Sequence, residues 1–180
     1  QEGLTSSFSV RRRLGEDLKI RLAMPGRYNV LNALAAVAIA SDEGIADTHI
    51  VRGLEDFKGV SRRFQVHGRF SLKGGSFMLV DDYGHHPTEV KAVIEAVRKG
   101  WPGTRLVMVY QPHRYTRTLE LFDQFVDVLS QVDQLVLLET YAAGEERIEG
   151  ATGSDLHKQL VLKTEAQVVF VSTIDEVPKA

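Results

Sequence analysis

The hydrophobic positions after residue 64 alternate between short continuous apolar runs and runs with helical spacing. Continuous apolar runs are typical of strands covered on both faces, and apolar residues three and four positions apart indicate helices. The order is strand, strand, helix, strand, helix, strand, helix and strand, which predicts an α/β fold with a mostly parallel, doubly wound sheet. The predicted strands are 66–72, 76–80, 106–110, 135–138 and 168–171, and the predicted helices are 87–99, 119–129 and 154–162.

The pattern before residue 64 predicts a separate arrangement. Two short apolar runs around Gly15 predict a β-hairpin, and two amphipathic segments predict helices. A short, basic connector that contains glycine follows, and the periodicity changes after it. We therefore predict a domain boundary, with residues 1–64 forming one domain and residues 65–180 a second. The predicted hairpin covers residues 7–23, the helices cover 29–42 and 47–57, and the connector covers 58–64.

Composition excludes several classes of protein. The 180 residues are 43% hydrophobic and 26% charged, as in an ordinary globular chain, and the net charge of −2 argues against general nucleic-acid binding. The absence of cysteine excludes disulfides, a thiolate nucleophile and cysteine-based zinc sites, and it fits the cytoplasm. No apolar run approaches the length of a membrane span, so we predict no membrane insertion. Neither end resembles a natural domain edge, and we expect a fragment of a longer protein.

Polar clusters follow three successive predicted strands. The carboxyl ends of parallel strands lie at one edge of a sheet, which is where ligands bind in open α/β sheets. We therefore expect the clusters to converge on one cleft. Their members are Asp82, His85 and His86; His113, Arg114 and Arg117; and Glu139, Tyr141 and Glu145.

The residue types in these clusters suit an anionic substrate and a nucleotide. Arg114 and Arg117 lie three apart at a predicted helix start, where amides and two guanidiniums can hold an anion. His85 can donate to a carboxylate or accept from an amine, and Asp82 suits a ribose diol. The chain contains neither G-x-x-x-x-G-K-[ST] nor G-x-G-x-x-G, so an ATP-driven reaction would need residues outside this sequence.

Two further candidates lie in the first 64 residues. Asn29 and Asn32 are three apart on a predicted helix, where they could read a polar ring edge beside a nucleotide. The alternative is that Asn29 is a helix cap. One of the adjacent connector arginines, Arg62 and Arg63, could fasten a phosphate or ribose, and the alternative is a solvated surface.

Four segments resemble motifs of the Mur ligase superfamily. Residues 26–36 resemble its G-x-x-N-x-x-N-x-x-A-A segment, with Tyr28 where histidine is usual. Residues 81–89 (DDYGHHPTE) and 111–118 (QPHRYTRT) resemble the members that join L-alanine to UDP-N-acetylmuramate. Residues 141–145 (YAAGE) resemble their Y-P-A-G-E segment, with alanine in place of proline.

The resemblance implies a cytoplasmic ligase of peptidoglycan precursor synthesis that uses ATP and Mg²⁺. Its partners would be UDP-N-acetylmuramate, L-alanine, ATP and the N-terminal domains of the same enzyme. This chain would be the hairpin and helical tail of the central ATPase domain, followed by most of the Rossmann-like C-terminal domain. The phosphate loop, the metal ligands and the uridine domain would lie upstream, so the isolated chain is expected to be inactive.

The resemblance also implies roles for individual residues, none of them a covalent nucleophile. Asn29, Asn32, Arg63 and Asp82 match the residues on the ATP side. The residues around the amino acid and the acyl end of the muramyl substrate match Tyr83, His85, Arg114 and Arg117.

Three other functions remain open from the sequence. The nearest is a ligase that attaches recycled murein tripeptide to the same muramyl nucleotide. A non-catalytic nucleotide-binding or peptide-binding module is the second. The third is a metal-dependent hydrolase with ligands drawn from Asp82, His85, His86 and His113, since aspartate and histidine are competent metal ligands.

Overall fold

The computed structural model describes residues 5–13, 15–72 and 74–179. These residues divide into two compact units, the first within residues 1–83 and 95–102 and the second within residues 84–94 and 103–180. The predicted domain boundary between residues 64 and 65 stays a prediction. None of the helices in the described ranges combines the length and the apolar character needed to cross a membrane.

The first unit begins with the predicted hairpin. Strands β1 (Ser6–Val10) and β2 (Leu18–Leu22) pair antiparallel, and β2 buries every second residue. Helices α1 (Arg27–Asp42) and α2 (Asp47–Glu55) pack on the buried face of β2. Helix α1 begins two residues earlier than expected because the carbonyl of Gly26 accepts the first helical hydrogen bonds. Gly26 has φ +94°, which glycine adopts without strain.

A second hairpin completes the first unit. Strands β3 (Gln65–Leu72) and β4 (Gly75–Asp81) pair antiparallel, with a bulge where the register shifts between Val66 and Gly68. Of the predicted turn residues, Lys73 lies outside the described residues. Among the described strands, this pair forms a two-stranded sheet of its own.

The second unit contains a three-stranded parallel sheet. Its strands are β5 (Val107–Tyr110), β6 (Gln134–Leu138) and β7 (Gln167–Val171), in the order β5-β6-β7. The predicted α/β class with a parallel sheet is therefore confirmed. The helices are α3 (Pro87–Gly100), α4 (Tyr115–Glu120), α5 (Phe122–Leu129) and α6 (Gly153–Lys163), and a 3₁₀ helix covers Ile174–Lys179. Only the residues of α3 up to Ile94 belong to this unit.

Strand β6 is the centre of the core. Leu135 and Leu137 point into a cluster that contains the buried faces of α5 and α6. The alternate residues Val136 and Leu138 pack with Val171 on the other side. A continuous apolar run thus does form a strand that is covered on both faces. The outer strand β5 is less covered, because every second residue of it is half exposed.

The helix expected over residues 119–129 is divided into α4 and α5. The backbone at Leu121 leaves the helical region, with φ −115° and ψ 21°. Hydrogen bonds from Leu121 N–H to Arg117 O and from Phe125 N–H to Leu121 O continue across this point. The division is therefore a kink between two helical segments. It keeps α4 short and close to the end of β5.

Candidate active site

The loops that follow β5 and β6 are joined by backbone hydrogen bonds. The Arg114 N–H donates to the Tyr141 carbonyl at 2.9 Å, and the Tyr141 N–H donates to the Pro112 carbonyl at 2.8 Å. His113 and Tyr141 form an isolated parallel bridge. The structure therefore brings together the polar clusters that follow these two neighbouring strands.

Arg114 has a strained backbone and an open side chain. Its φ of +73° is rare for a residue with a Cβ, and such strain is found at functional sites more often than elsewhere. The N–H and the hydroxyl of Thr118 both donate to the Arg114 carbonyl, at 3.1 and 2.8 Å, which stabilises this conformation. The side chain is exposed, and it makes no hydrogen bond or ion pair with another described residue. The guanidinium is therefore available for an anion.

Arg117 is held more firmly. One guanidinium nitrogen, Nη1, donates to the His113 carbonyl at 3.0 Å and lies 3.4 Å from His113 Nδ1. The side chain is partly buried. Arg117 therefore helps to fix the loop, while its other donors can still reach a substrate.

Three rings form a row beside the two arginines. The centroids of His85 and His113 are 5.8 Å apart, and those of His113 and Tyr141 are 5.4 Å apart. Burial lowers the pKa of His113 below its ordinary value, and the charges of Arg117, His85 and Arg114 lower it further. The neutral imidazole of His113 is thus favoured, and its ring can accept a hydrogen bond.

His85 and His86, which directly precede α3, make different contacts. Glu89 Oε2 accepts the backbone N–H of His85 at 2.9 Å and that of His86 at 3.1 Å. His86 Nδ1 accepts the N–H of Thr88 at 3.2 Å, so His86 acts as a helix cap. His85 Nδ1 lies 3.9 Å from Glu89 Oε2, and its ring faces His113. The spacing of His86 and Glu89 resembles a capping box, so it is a signal from which this arrangement could have been inferred.

Glu145 binds the start of α4. Its carboxylate accepts the Thr116 N–H at 3.0 Å and the Thr116 hydroxyl at 2.7 Å. The backbone hydrogen bond from Thr116, followed by that from its hydroxyl, lowers the pKa of Glu145. An amide that the sequence had suggested for substrate binding is therefore used within the fold. The anion-binding capacity of this segment lies in the arginine side chains.

We predict that Thr116→Val raises the pKa of Glu145 towards its ordinary value of about 4.3. The shift should be partial, because the Thr116 N–H remains. A folded-state pKa that is depressed gives stability above the ordinary pKa, and this is lost as the pH falls through the folded value. NMR titration of the Glu145 carboxyl carbon measures the shift. Thr88→Val is the control, and an equal pKa in wild type and Thr116→Val would contradict the assignment.

Tyr110 is a polar residue of the site that the sequence reading missed. It is only 7% exposed, and its hydroxyl has no hydrogen-bond partner among the described residues. Burial raises its pKa, while the charge of Arg117 acts to lower it and that of Glu89 to raise it. The hydroxyl therefore stays protonated, and it is close enough to Arg117 and Glu89 for their charges to act on it. Its position within an apolar run concealed it.

The candidates on the ATP side belong to the first unit. Asn29 is 6% exposed, and its side-chain nitrogen donates to the Pro25 carbonyl at 2.7 Å, whereas Asn32 is exposed. Asp82 accepts the Phe64 N–H at 2.7 Å and so fixes the connector. The Asn29 side chain thus ties the start of α1 to the preceding turn, although the N-cap residue of the helix is Gly26.

Tyr28 lies among these residues. Burial raises its pKa, Asp82 raises it further, and Asn29 and Arg63 act to lower it. Tyr28, Asp82 and Arg63 are therefore close enough to influence one another electrostatically. A cleft of about 360 Å³ is lined by Pro25, by Arg63 and other residues of the connector, and by the first residues of β3.

Tyr83 belongs to the first unit. The resemblance assigns it to the group of residues around the amino acid and the acyl end of the muramyl substrate. The Tyr83 N–H donates to the Arg62 carbonyl at 2.7 Å, and the Arg62 guanidinium lies 4.7 Å from the centre of the Tyr83 ring. Arg62 also approaches Asp81 at 3.6 Å. Of the two connector arginines, Arg62 is thus engaged with the segment that leads out of β4.

The described residues contain no group of three or more histidine, aspartate or glutamate side chains placed to hold a metal ion. Asp82, Glu89 and Glu145 accept hydrogen bonds from backbone N–H groups instead. The described residues therefore offer no magnesium site with three such ligands.

The second unit is thus an α/β unit whose parallel sheet has a basic, histidine-containing edge. Residues 62–180 match the family domain described as "Mur ligase, glutamate ligase domain". The chain belongs to the Mur ligase family.

Solved structures agree with this assignment. The chain is similar to the UDP-N-acetylmuramate–alanine ligase of Thermotoga maritima, with 28% identity, a TM-score of 0.72 and coverage of 91% of this chain and 33% of that chain. MurF from Acinetobacter baumannii has 22% identity and a TM-score of 0.64, with coverage of 99% and 36%. Folylpolyglutamate synthase of T. maritima has 15% identity and a TM-score of 0.62, with coverage of 98% and 41%.

The chain thus spans between 33% and 41% of the length of these three proteins. The similarity to MurF and to folylpolyglutamate synthase, at 22% and 15% identity, concerns the fold alone. A fold shared by ligases with different names does not select a substrate, so the substrate must be argued from the site.

Proposed function

We propose that the chain is part of an ATP-dependent ligase that joins L-alanine to UDP-N-acetylmuramate in the cytoplasmic synthesis of peptidoglycan precursors. The observation that carries this proposal is the open guanidinium of Arg114 beside Arg117 and the His85–His113 pair. This arrangement suits an amino acid with a carboxylate to bind and an amine to deprotonate. The motifs around residues 81–89 and 111–118 and the likeness to the T. maritima ligase support alanine as the acceptor.

The residues of the second unit would bind and orient the acceptor. Arg114 and Arg117 neutralise its carboxylate, which brings the amine to a defined position. His85 is the candidate to accept the proton that the amine must lose before it attacks. No residue forms a covalent intermediate. ATP with Mg²⁺ would supply the phosphoryl group that activates the muramyl carboxylate, and the guanidiniums also stabilise negative charge as the amide forms.

The residues of the first unit would bind ATP. Asn29, Asn32, Arg63 and Asp82 are the candidates, and Tyr83 is the candidate for the acyl end. The pKa effects that connect Tyr28 with Asp82 and Arg63 support a common polar site on this unit. The phosphate loop and the metal ligands would lie upstream of this chain.

Two substitutions of Asp82 distinguish its proposed binding of the nucleotide from its contribution to folding. Asp82→Asn keeps an oxygen that can accept the Phe64 N–H, whereas Asp82→Ala removes it. Both changes should raise the KM for ATP, because a ribose hydrogen bond contributes about 0.5–1.5 kcal/mol, or roughly 1.5–3 kcal/mol if charge-assisted. Asp82→Ala alone should also lower the Tm. A raised KM for alanine with an unchanged KM for ATP would place Asp82 on the acceptor side.

The proposed activity can be measured directly. The full-length protein is incubated with ATP, Mg²⁺ and UDP-N-acetylmuramate, and phosphate release is compared with L-alanine, with murein tripeptide and without acceptor. We expect release to depend on alanine, and mass spectrometry should detect the alanyl product. The isolated 180-residue chain is the control and should release no phosphate. Use of tripeptide but not alanine would instead identify the ligase of peptidoglycan recycling.

A further inference from the structure

Tyr141 is an exposed aromatic residue whose backbone is fixed at the site. Its ring is 55% exposed, yet its N–H and its carbonyl are both bonded to the loop after β5. The exposed aromatics Phe70 and Phe77, in contrast, stack on each other across the β3–β4 hairpin, with ring centroids 5.5 Å apart. A large ring held open at a ligand-binding edge is suited to contact an apolar part of a substrate.

The rings of Tyr141 and His113 together form an uncharged surface. The Tyr141 ring lies against His113, and the surroundings of His113 favour its neutral form. Arg114 follows His113 directly, and its N–H is bonded to the carbonyl of Tyr141. The Arg114 guanidinium is also near enough to His113 for its charge to lower the pKa of that ring. An amino acid whose carboxylate binds Arg114 would therefore have its adjoining carbon near this surface. We name the rings of Tyr141 and His113 the aromatic wall.

The aromatic wall is fixed at both ends of its loop. Tyr141 is bonded to Pro112 and Arg114, and four residues later Glu145 is bonded to Thr116. Ala143 and Gly144, with φ of +52° and +87°, form the tight turn between these attachments. The backbone that carries the Tyr141 ring therefore cannot retreat without breaking several hydrogen bonds. A large acceptor side chain would have less room beside this ring than a methyl group.

We propose that Tyr141 is a specificity-determining residue, and that the aromatic wall receives the side chain of the acceptor amino acid and favours a small one. This inference rests on the proposed function, because it concerns the same acceptor. It adds a reason for the choice of alanine that does not depend on the two arginines, which recognise only the carboxylate that all amino acids share.

The test compares acceptors in the full-length protein. The kcat/KM values for alanine and valine are measured in wild type, Tyr141→Ala and Tyr141→Phe, with Phe70→Ala as a control that removes an exposed aromatic elsewhere. We expect Tyr141→Ala to reduce the preference for alanine over valine about tenfold, the usual effect of small changes in an apolar pocket. Tyr141→Phe and Phe70→Ala should keep the wild-type preference, because both retain the ring of residue 141.

The experiment distinguishes failure of the aromatic wall from failure of the proposed function. If wild type uses alanine but Tyr141→Ala leaves the alanine-to-valine ratio unchanged, the aromatic wall does not select the acceptor. If wild type uses no free amino acid, the proposed function fails and this inference fails with it. Circular dichroism checks the fold of each variant. Tyr141→Leu, which shortens the side chain without emptying the position, should lower the ratio in the same direction if Tyr141→Ala does not fold.

Discussion

Replacing Arg117 or Arg114 by lysine in the full-length ligase should raise the KM for alanine roughly tenfold or more. A guanidinium binds a carboxylate through two parallel N–H···O bonds, which the point charge of lysine cannot reproduce. Loss of this charged hydrogen bonding corresponds to about 1.5–3 kcal/mol. Steady-state kinetics at varied alanine concentration measure the effect, and the KM for ATP should stay nearly constant.

The two arginines should differ in a second property. Arg117 donates to the His113 carbonyl, so Arg117→Lys should also lower the Tm, whereas the Arg114 side chain has no such bond and Arg114→Lys should not. Arg52→Lys, an exposed arginine on α2, is the control for the substitution itself. The assignment is wrong if both variants leave alanine saturation unchanged. It is also wrong if a lower Tm is their only effect, since the arginines would then be structural.

Gly153→Ala should destabilise the chain more than any other single methyl addition at a described glycine. A Cβ at this position would collide with the Leu138 carbonyl oxygen and lie 2.9 Å from Glu139 Cα. These are backbone atoms of the central strand, so they cannot move aside as a flexible side chain would. Overpacking costs about 1–3 kcal/mol and sometimes more. Since 1 kcal/mol corresponds to roughly 2–4 °C in a chain of this size, thermal unfolding should show a Tm lower by about 6–12 °C for a loss near 3 kcal/mol.

A matched glycine separates this collision from the general effect of adding a methyl group. Gly53 lies within α2, and a Cβ there would meet no atom within 4 Å. Gly53→Ala should raise the Tm slightly, because alanine favours a helix over glycine by about 1 kcal/mol. Equal Tm values for wild type and Gly153→Ala would show that the start of α6 is not packed closely against Leu138 and Glu139.

The collision at Gly153 would also reach the candidate active site. Glu139 Oε1 accepts the N–H of Gly153 and the N–H of Thr140, both at 2.7 Å. This carboxylate therefore joins the two ends of the loop that carries Tyr141. A displaced α6 would loosen the loop. The Glu139 carboxylate thus contributes both to the packing of α6 and to the position of the loop that carries Tyr141.

The sequence alone was sufficient for the order of elements and for the α/β class. The apolar run of β6 and the helical spacing of α3 reflect local periodicity, and periodicity follows directly from which face of an element is buried. The positions of Arg114 and Arg117 were also predictable, because polar residues directly after a parallel strand lie at the edge of its sheet. That argument does not apply to His85, because it follows β4, which pairs only with β3 among the described strands. The kink at Leu121 was not predictable, since its helical spacing continues without interruption.

Tertiary structure decided what each polar residue of the site does. Glu145 bonds to Thr116 and Glu139 to Gly153, and neither partner could be inferred because the pairs are separated by 29 and 14 residues. The burial of the Tyr110 hydroxyl likewise depends on neighbours from other elements. Hydrogen bonds and burial are properties of residues that meet in space. The sequence therefore determined which groups reach this edge of the sheet, and only the folded chain determined which of them remain open to a substrate.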